Sequence, residues 1–173
     1  MDASLKQLHD QIDDATAGLL ETASRLGDDD MRRPSLLSGW TRGHVLTHLA
    51  RGGEALRNLI EGREAYASPQ ARDAAIGAGA GRSAAELVAD VRASAAALRE
   101  SALAQPDDAW NRQVSVLGHG SFPAGQILTR RLVELELHHV DLDAGYRPGD
   151  WPATFNELEL PEPMRSQRAD RIV

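Results

Sequence analysis

The sequence contains no cysteine. That excludes a disulfide scaffold, a thiolate zinc site, a cysteine nucleophile and any iron–sulfur cluster held by the chain's own thiolates. Aromatic residues make up only 4% of the chain, while alanine and leucine are abundant. Such a composition favours helix over strand and argues against an all-β fold. Basic charge is also short: 19 Lys and Arg stand against 26 Asp and Glu, for a net charge of −7 and a pI near 5.3. Diffuse negative charge repels phosphate backbones and anionic bilayers, so neither nucleic acid nor membrane is an expected partner. No run of about 18 apolar residues occurs, and the opening MDASLKQLHDQIDD lacks the basic and apolar regions of a signal peptide. The expected location is the cytoplasm, and the expected partners are small molecules or protein.

What is present suits one domain: 173 residues, 42% of them hydrophobic, can fill a single core without staples. Leu5, Leu8, Ile12, Ala15, Leu19, Ala23 and Leu26 recur at helical steps and predict an amphipathic helix from Ser4 to about Leu26, stopped by Gly27 and the acidic run Asp28 to Asp30. Thr41 can cap a second helix running to about Gly62 on Val45, Leu49, Leu56 and Ile60. Residues 63–82 have no sustained period and read as a long connection with a short helical piece at Pro69 to Ile76. The capping-box pattern Ser83 to Glu86 opens a third helix reaching about Ala104. Residues 113–117 read as a short strand before a glycine turn, and a fourth helix spans about Ala124 to Asp143 after Pro123. Four helices of matched length give the expected fold: all-α, a four-helix bundle with a long connection between helices 2 and 3, which lets a parallel neighbour be reached. Residues 1–160 form the bundle, and 161–173 form a polar, loosely docked tail.

The fourth helix carries the most chemistry, in RRLVELELHHVDLD. On a wheel with Glu134 at zero, His138 falls at about +40° and Asp141 at about −20°, so the three project along one line. Leucines and valines surround them on nearly every side, so these groups need partners. Glu134 can pair with Arg130 or Arg131, or it can share a metal ion with His138 one turn away; spacing alone leaves both open. The second helix offers His48 on the edge of its apolar stripe, with His44 further toward solvent. His48, Glu134 and His138 together would make a two-histidine, one-carboxylate site with open positions. Asp141 would orient a ligand, and Arg82 or Arg130 would hold a carboxylate of substrate or thiol. His9 reads as a surface residue, and His119 sits in a glycine turn. Gly77, Gly79 and Gly81 lack dinucleotide spacing and follow no strand, so a phosphate loop is disfavoured. Trp40 and Trp151 read as packing anchors beside helix ends.

Three separated segments, SGWTRGHVLTHLARGGEAL, AGAGRSAAELVADVRAS and RRLVELELHHVDLDAGYRPGDWP, resemble the mycothiol-dependent maleylpyruvate isomerase family of the DinB-like superfamily. The resemblance runs from about Leu26 to Phe155. It implies a DinB-like bundle binding a divalent metal, usually zinc, through positions that match His48, Glu134 and His138. It also implies a low-molecular-weight thiol, typically mycothiol, as cosubstrate, and an electrophilic substrate that is either isomerised from cis to trans or conjugated to the thiol. Isomerases of the family commonly continue into a sterol-carrier-like domain, about where this chain reaches its polar tail. The competing expectation is a non-catalytic bundle that binds a metal or ligand and forms a homodimer.

Overall fold

The computed structural model describes residues 3–116 and 120–172. Apolar residues at helical spacing form α1 over Ala3–Ser24, with Ile12, Leu19 and Ala23 on its buried stripe. A short helix, α2 (Asp28–Met31), opens on three aspartates, where unpaired backbone N–H groups favour negative charge. Thr41 caps α3 (Arg42–Ile60), its hydroxyl accepting from the His44 backbone N–H. The expected long connection holds α4 (Pro69–Gly79), which begins on the cap Ser68 with proline in its first turn. α5 (Ala84–Leu103) starts on the reciprocal Ser83 and Glu86 hydrogen bonds legible in the sequence. An antiparallel hairpin of β1 (Gln113–Ser115) and β2 (Ser121–Pro123) leads into α6 (Gln126–Asp141). Two short helices follow, α7 (Ala153–Asn156) and α8 (Met164–Ala169).

The four long helices close a ring in which α1 packs against α5 and α6, and α3 packs against the same two. Paired contacts fix their directions. Arg51 meets Asp90 and Gly53 meets Ser94, so α3 and α5 run parallel. Gly52 meets Glu134 and His48 meets His138, so α3 and α6 run antiparallel. A parallel neighbour is what the long connection permits, since a short loop returns the chain antiparallel. At Gly43 a side chain would collide with the Ala80 carbonyl, so the start of α3 and the end of α4 meet at a spacing that glycine allows. Leu19, Leu46, Leu49, Leu87, Ile127 and Leu135 are fully buried at the centre of the ring. Each such side chain contributes about 1.5–3 kcal/mol relative to an exposed one. None of the described helices is long and apolar enough to cross a membrane.

Two expectations need correction. His9, expected at the surface, is buried, because α5 packs over that side of α1. Residues 161–173, expected as a loosely docked tail, instead include α8, which packs on α6. Met164 is buried, and an Arg168 Nη1 donates to the Phe155 carbonyl at 2.6 Å. That docking rests on one apolar side chain and several polar contacts, so hydrophobic periodicity carries no trace of it. His119 lies outside the described residues.

Candidate functional site

A cavity of about 310 Å³ opens beside α3, α6 and α8. Into it α3 presents His48, while α6 presents Glu134 and His138, the pair one helical turn apart. The imidazoles of His48 and His138 meet edge to face with centroids 4.8 Å apart, and Trp40 backs His48 at 5.5 Å. Leu37, Leu56, Val133 and Leu137 supply an apolar wall. Burial, then the neighbouring His138, Arg72 and Arg131, hold His48 well below the ordinary imidazole value, so its ring is neutral near pH 7.

Glu134 is the unusual member. Its Oε2 is buried and accepts no hydrogen bond. Neither arginine that could have paired with it does so closely. Arg131 is fully buried, and its Nη1 donates to the Leu49 carbonyl at 2.8 Å while standing 4.0 Å from Glu134 Oε2. Arg130 instead lies over the Phe122 ring, 3.8 Å from its centroid, although unlike Arg131 it lines the cavity. Gly52 makes room for the carboxylate: a Cβ there would stand 3.1 Å from Oε2. A buried carboxylate oxygen left without a donor costs roughly 1–3 kcal/mol or more, which a group bound in the cavity would offset.

Asp141 stands directly behind His138. Burial pushes its carboxyl up, but hydrogen bonds from His138 and Arg171 together outweigh that and hold it below the usual carboxylate range. An ionised carboxylate only accepts, so the 2.8 Å contact is His138 Nδ1–H donating to Asp141 Oδ2. In the neutral ring this contact selects the tautomer whose lone pair is on Nε2. The structure also brings in residues that the sequence reading missed. Arg72 of α4 reaches within 3.4 Å of His48 Nδ1, and Tyr66 lines the same cavity. Burial and the nearby Glu134 push the Tyr66 phenol up to about 12, so it is an O–H donor at neutral pH. Both lie in the aperiodic connection, where position along the chain gives no sign of where a side chain ends up.

Arg82 is not brought to the cavity. Its Nη2 pairs with Asp90 at 2.6 Å and its Nε donates to the Gly79 carbonyl, and Asp90 is shared with Arg51. It braces α4 and α5 rather than facing a ligand. His44 is also structural, with Nδ1 2.8 Å from the Thr41 hydroxyl at the start of α3. Among the described residues, no three His, Asp or Glu side chains stand close enough together to form a ready metal site. The donors of the cavity nonetheless suit a divalent cation in kind: a neutral imidazole, an imidazole whose Nε2 lone pair is set by Asp141, and a carboxylate with an orphaned oxygen.

Fold and site together define a class: an antiparallel and parallel ring of four long helices with a polar, arginine-bordered cavity between two of them. The chain belongs to the mycothiol maleylpyruvate isomerase N-terminal domain family, whose model matches residues 12–143. Among solved structures it is similar to one described as the mycothiol-dependent maleylpyruvate isomerase, with 29% identity and a TM-score of 0.82 over 87% of this chain. A histidine-to-alanine mutant of a mycothiol-dependent maleylpyruvate isomerase is similar at 28% identity and the same TM-score. The chain spans 65% of the length of each of these structures. No curated protein matches it.

Proposed function

We propose that the protein is a metal-dependent enzyme that uses a low-molecular-weight thiol of the mycothiol kind on an electrophilic, carboxylate-bearing substrate. His48, Glu134 and His138 would hold the ion, zinc being the one the family resemblance favours. The observation that carries this reading is the buried Glu134 Oε2, which accepts no hydrogen bond and has an arginine no nearer than 4.0 Å, in one cavity with two imidazoles. Bound there, a divalent ion would supply Lewis-acid chemistry that keeps a thiol as thiolate near neutral pH.

The chain's own residues do the rest. Arg72 and Arg130 border the cavity and can each clamp a substrate carboxylate, an ionic contact that orients the electrophilic carbon. Tyr66, protonated at neutral pH, can donate to a substrate carbonyl or carboxylate oxygen. The apolar wall of Leu37, Leu56, Val133 and Leu137 limits water, which favours thiol over hydroxide as the attacking group. In the isomerase form of this chemistry, the thiol sulfur bonds to one carbon of a cis double bond and the electron pair shifts onto the conjugated carbonyl. The resulting single bond rotates, and elimination of the same thiolate restores the double bond as trans. In the transferase form the sulfur stays on carbon and a proton completes the adduct.

Incubating the protein with Zn²⁺, mycothiol and maleylpyruvate, and following both trans product and thioether adduct, separates the two forms. Metal content of wild type, His48→Ala and Glu134→Ala tests the site itself. The expected result is stoichiometric metal in wild type and loss in both variants. Equal content in all three would sink the reading and favour a non-catalytic ligand-binding bundle.

A further inference from the structure

Building on the reading of His138 as a metal ligand, we propose that Arg171, just beyond α8, is a positioning residue of this site that acts through Asp141 on His138. Asp141 closes α6 and is 2% exposed. Arg171 grips it with a fork: Nη2 to Oδ2 at 2.9 Å and Nε to Oδ1 at 3.3 Å. The same Oδ2 accepts His138 Nδ1–H at 2.8 Å. A two-point grip fixes the plane of a carboxylate, which a single contact leaves free to turn. The fixed carboxylate in turn sets the rotation of the imidazole and keeps the ring hydrogen on Nδ1, so that Nε2 is the nitrogen free to ligate.

The arginine is itself held in place. Its Nη1 donates to the Gln167 carbonyl at 3.1 Å, Met164 anchors the start of α8 in the core, and Arg168 ties the helix to Phe155. Met164, Gln167 and Arg171 line the same cavity as His48 and Glu134. The C-terminal segment therefore forms a wall of the site and reaches the residue behind one proposed ligand. No helical spacing links Arg171 to Asp141, which lie 30 residues apart in sequence.

The test uses the full chain and Zn²⁺ alone, with affinity read by competition against a chelator. Arg171→Ala should weaken Zn²⁺ binding about 10- to 100-fold, the usual cost of losing the partner behind a ligating histidine. Arg171→Lys should recover only part of this, because an ammonium cannot make the fork. Arg168→Ala, which cuts a docking bond of the same segment, should leave the affinity unchanged. Wild-type affinity in Arg171→Ala overturns the proposal. So does an equal loss in Arg168→Ala, which would assign the effect to docking of the segment. A second readout needs no metal: the His138 ring N–H proton resonance of the metal-free protein should be sharp in wild type and Arg168→Ala and broadened or absent in Arg171→Ala. If wild type binds no Zn²⁺, the metal reading has failed, and this resonance alone decides whether Arg171 orders the ring. An unchanged resonance in Arg171→Ala overturns the proposal in that case too.

Discussion

Glu134 and Glu136 leave α6 two residues apart, and His138 and His139 are neighbours, yet the two members of each pair live in opposite circumstances. Around Glu136 every partner is present: its Oε2 accepts from the Tyr146 hydroxyl at 2.6 Å, and Tyr146 stacks flat on His139 with centroids 3.7 Å apart. His139 Nε2 meets the Thr22 hydroxyl at 2.8 Å. Burial pushes the Glu136 carboxyl up against a smaller downward pull from Tyr146, and it holds the His139 ring down at about 4. Around Glu134 the donors are missing and the carboxylate faces a cavity. The same residue types on one helix thus make a closed polar cluster that staples α6 to α1 and an open one that faces a cavity. A satisfied buried network specifies the fold, whereas an unsatisfied one is where a bound group would have something to satisfy.

Breaking the open cluster should have the largest functional effect. Glu134→Gln or His138→Ala is expected to reduce thiol-dependent turnover by more than about 100-fold, since losing a partner one bond further out already costs 10–100-fold in metal affinity or activity. Glu134 Oε2 accepts no hydrogen bond but stands 4.0 Å from the fully buried Arg131 Nη1. Glu134→Gln thus relieves an unpaired acceptor while removing the nearest counter-charge of that arginine, and metal-free protein should lose no more than about 1–3 kcal/mol in urea unfolding. A larger loss would mean that Glu134 serves chiefly as the counter-charge of Arg131.

The closed cluster should respond to pH instead. His139 binds a proton near 6.5 when unfolded and near 4 when folded, so between those values the unfolded chain holds more protons and stability rises with pH. Metal-free protein should therefore lose up to about 3 kcal/mol of unfolding free energy on going from pH 6.5 to pH 4, with the His139 share levelling off below 4. His48, held low by burial, adds to the loss in the same sense. In His139→Gln the slope over this window should flatten but not vanish. A smaller effect is expected of Glu136→Ala, which removes the closer acceptor of the Tyr146 hydroxyl and leaves it the Asp150 carbonyl at 3.5 Å; it should cost about 0.5–1.5 kcal/mol in urea unfolding while leaving metal content unchanged.

The contrast between the clusters also separates what the sequence discloses from what it hides. Helical spacing and the capping residues Thr41 and Ser83 place the long helices within a few residues, because those signals are local. The same periodicity puts Glu134, His138 and Asp141 on one line and His48 at the edge of an apolar stripe. Partner choice, however, is tertiary. Whether Glu134 takes Arg130 or Arg131 depends on Phe122 and the Leu49 carbonyl, which approach from other elements. Arg72, Tyr66 and Arg171 reach the cavity from an aperiodic connection and a mostly polar segment, so no pattern announces them. Arg82 shows the converse: read from the sequence as a holder of a substrate or thiol carboxylate, it is paired with Asp90, eight residues on.

Gly52 is where the two tendencies meet in one residue. It sits within α3, where glycine costs roughly 0.5–1 kcal/mol relative to alanine, and nothing about its backbone demands glycine there. The demand comes from across the helix interface, where a Cβ would come within 3.1 Å of Glu134 Oε2. That oxygen is the end of a flexible side chain, so it can retreat by a few tenths of an ångström rather than force the helices apart. Gly52→Ala should accordingly raise unfolding free energy in urea by up to about 0.5–1 kcal/mol, as expected for the helix-propensity gain alone. It should at the same time lower Zn²⁺ affinity by a few fold, on the order of 1 kcal/mol or less, because the displaced carboxylate is no longer where the cavity holds it. Opposite signs in the two measurements would show that glycine is kept for the site. A loss of stability together with unchanged affinity would instead make it a packing residue of the α3 and α6 interface.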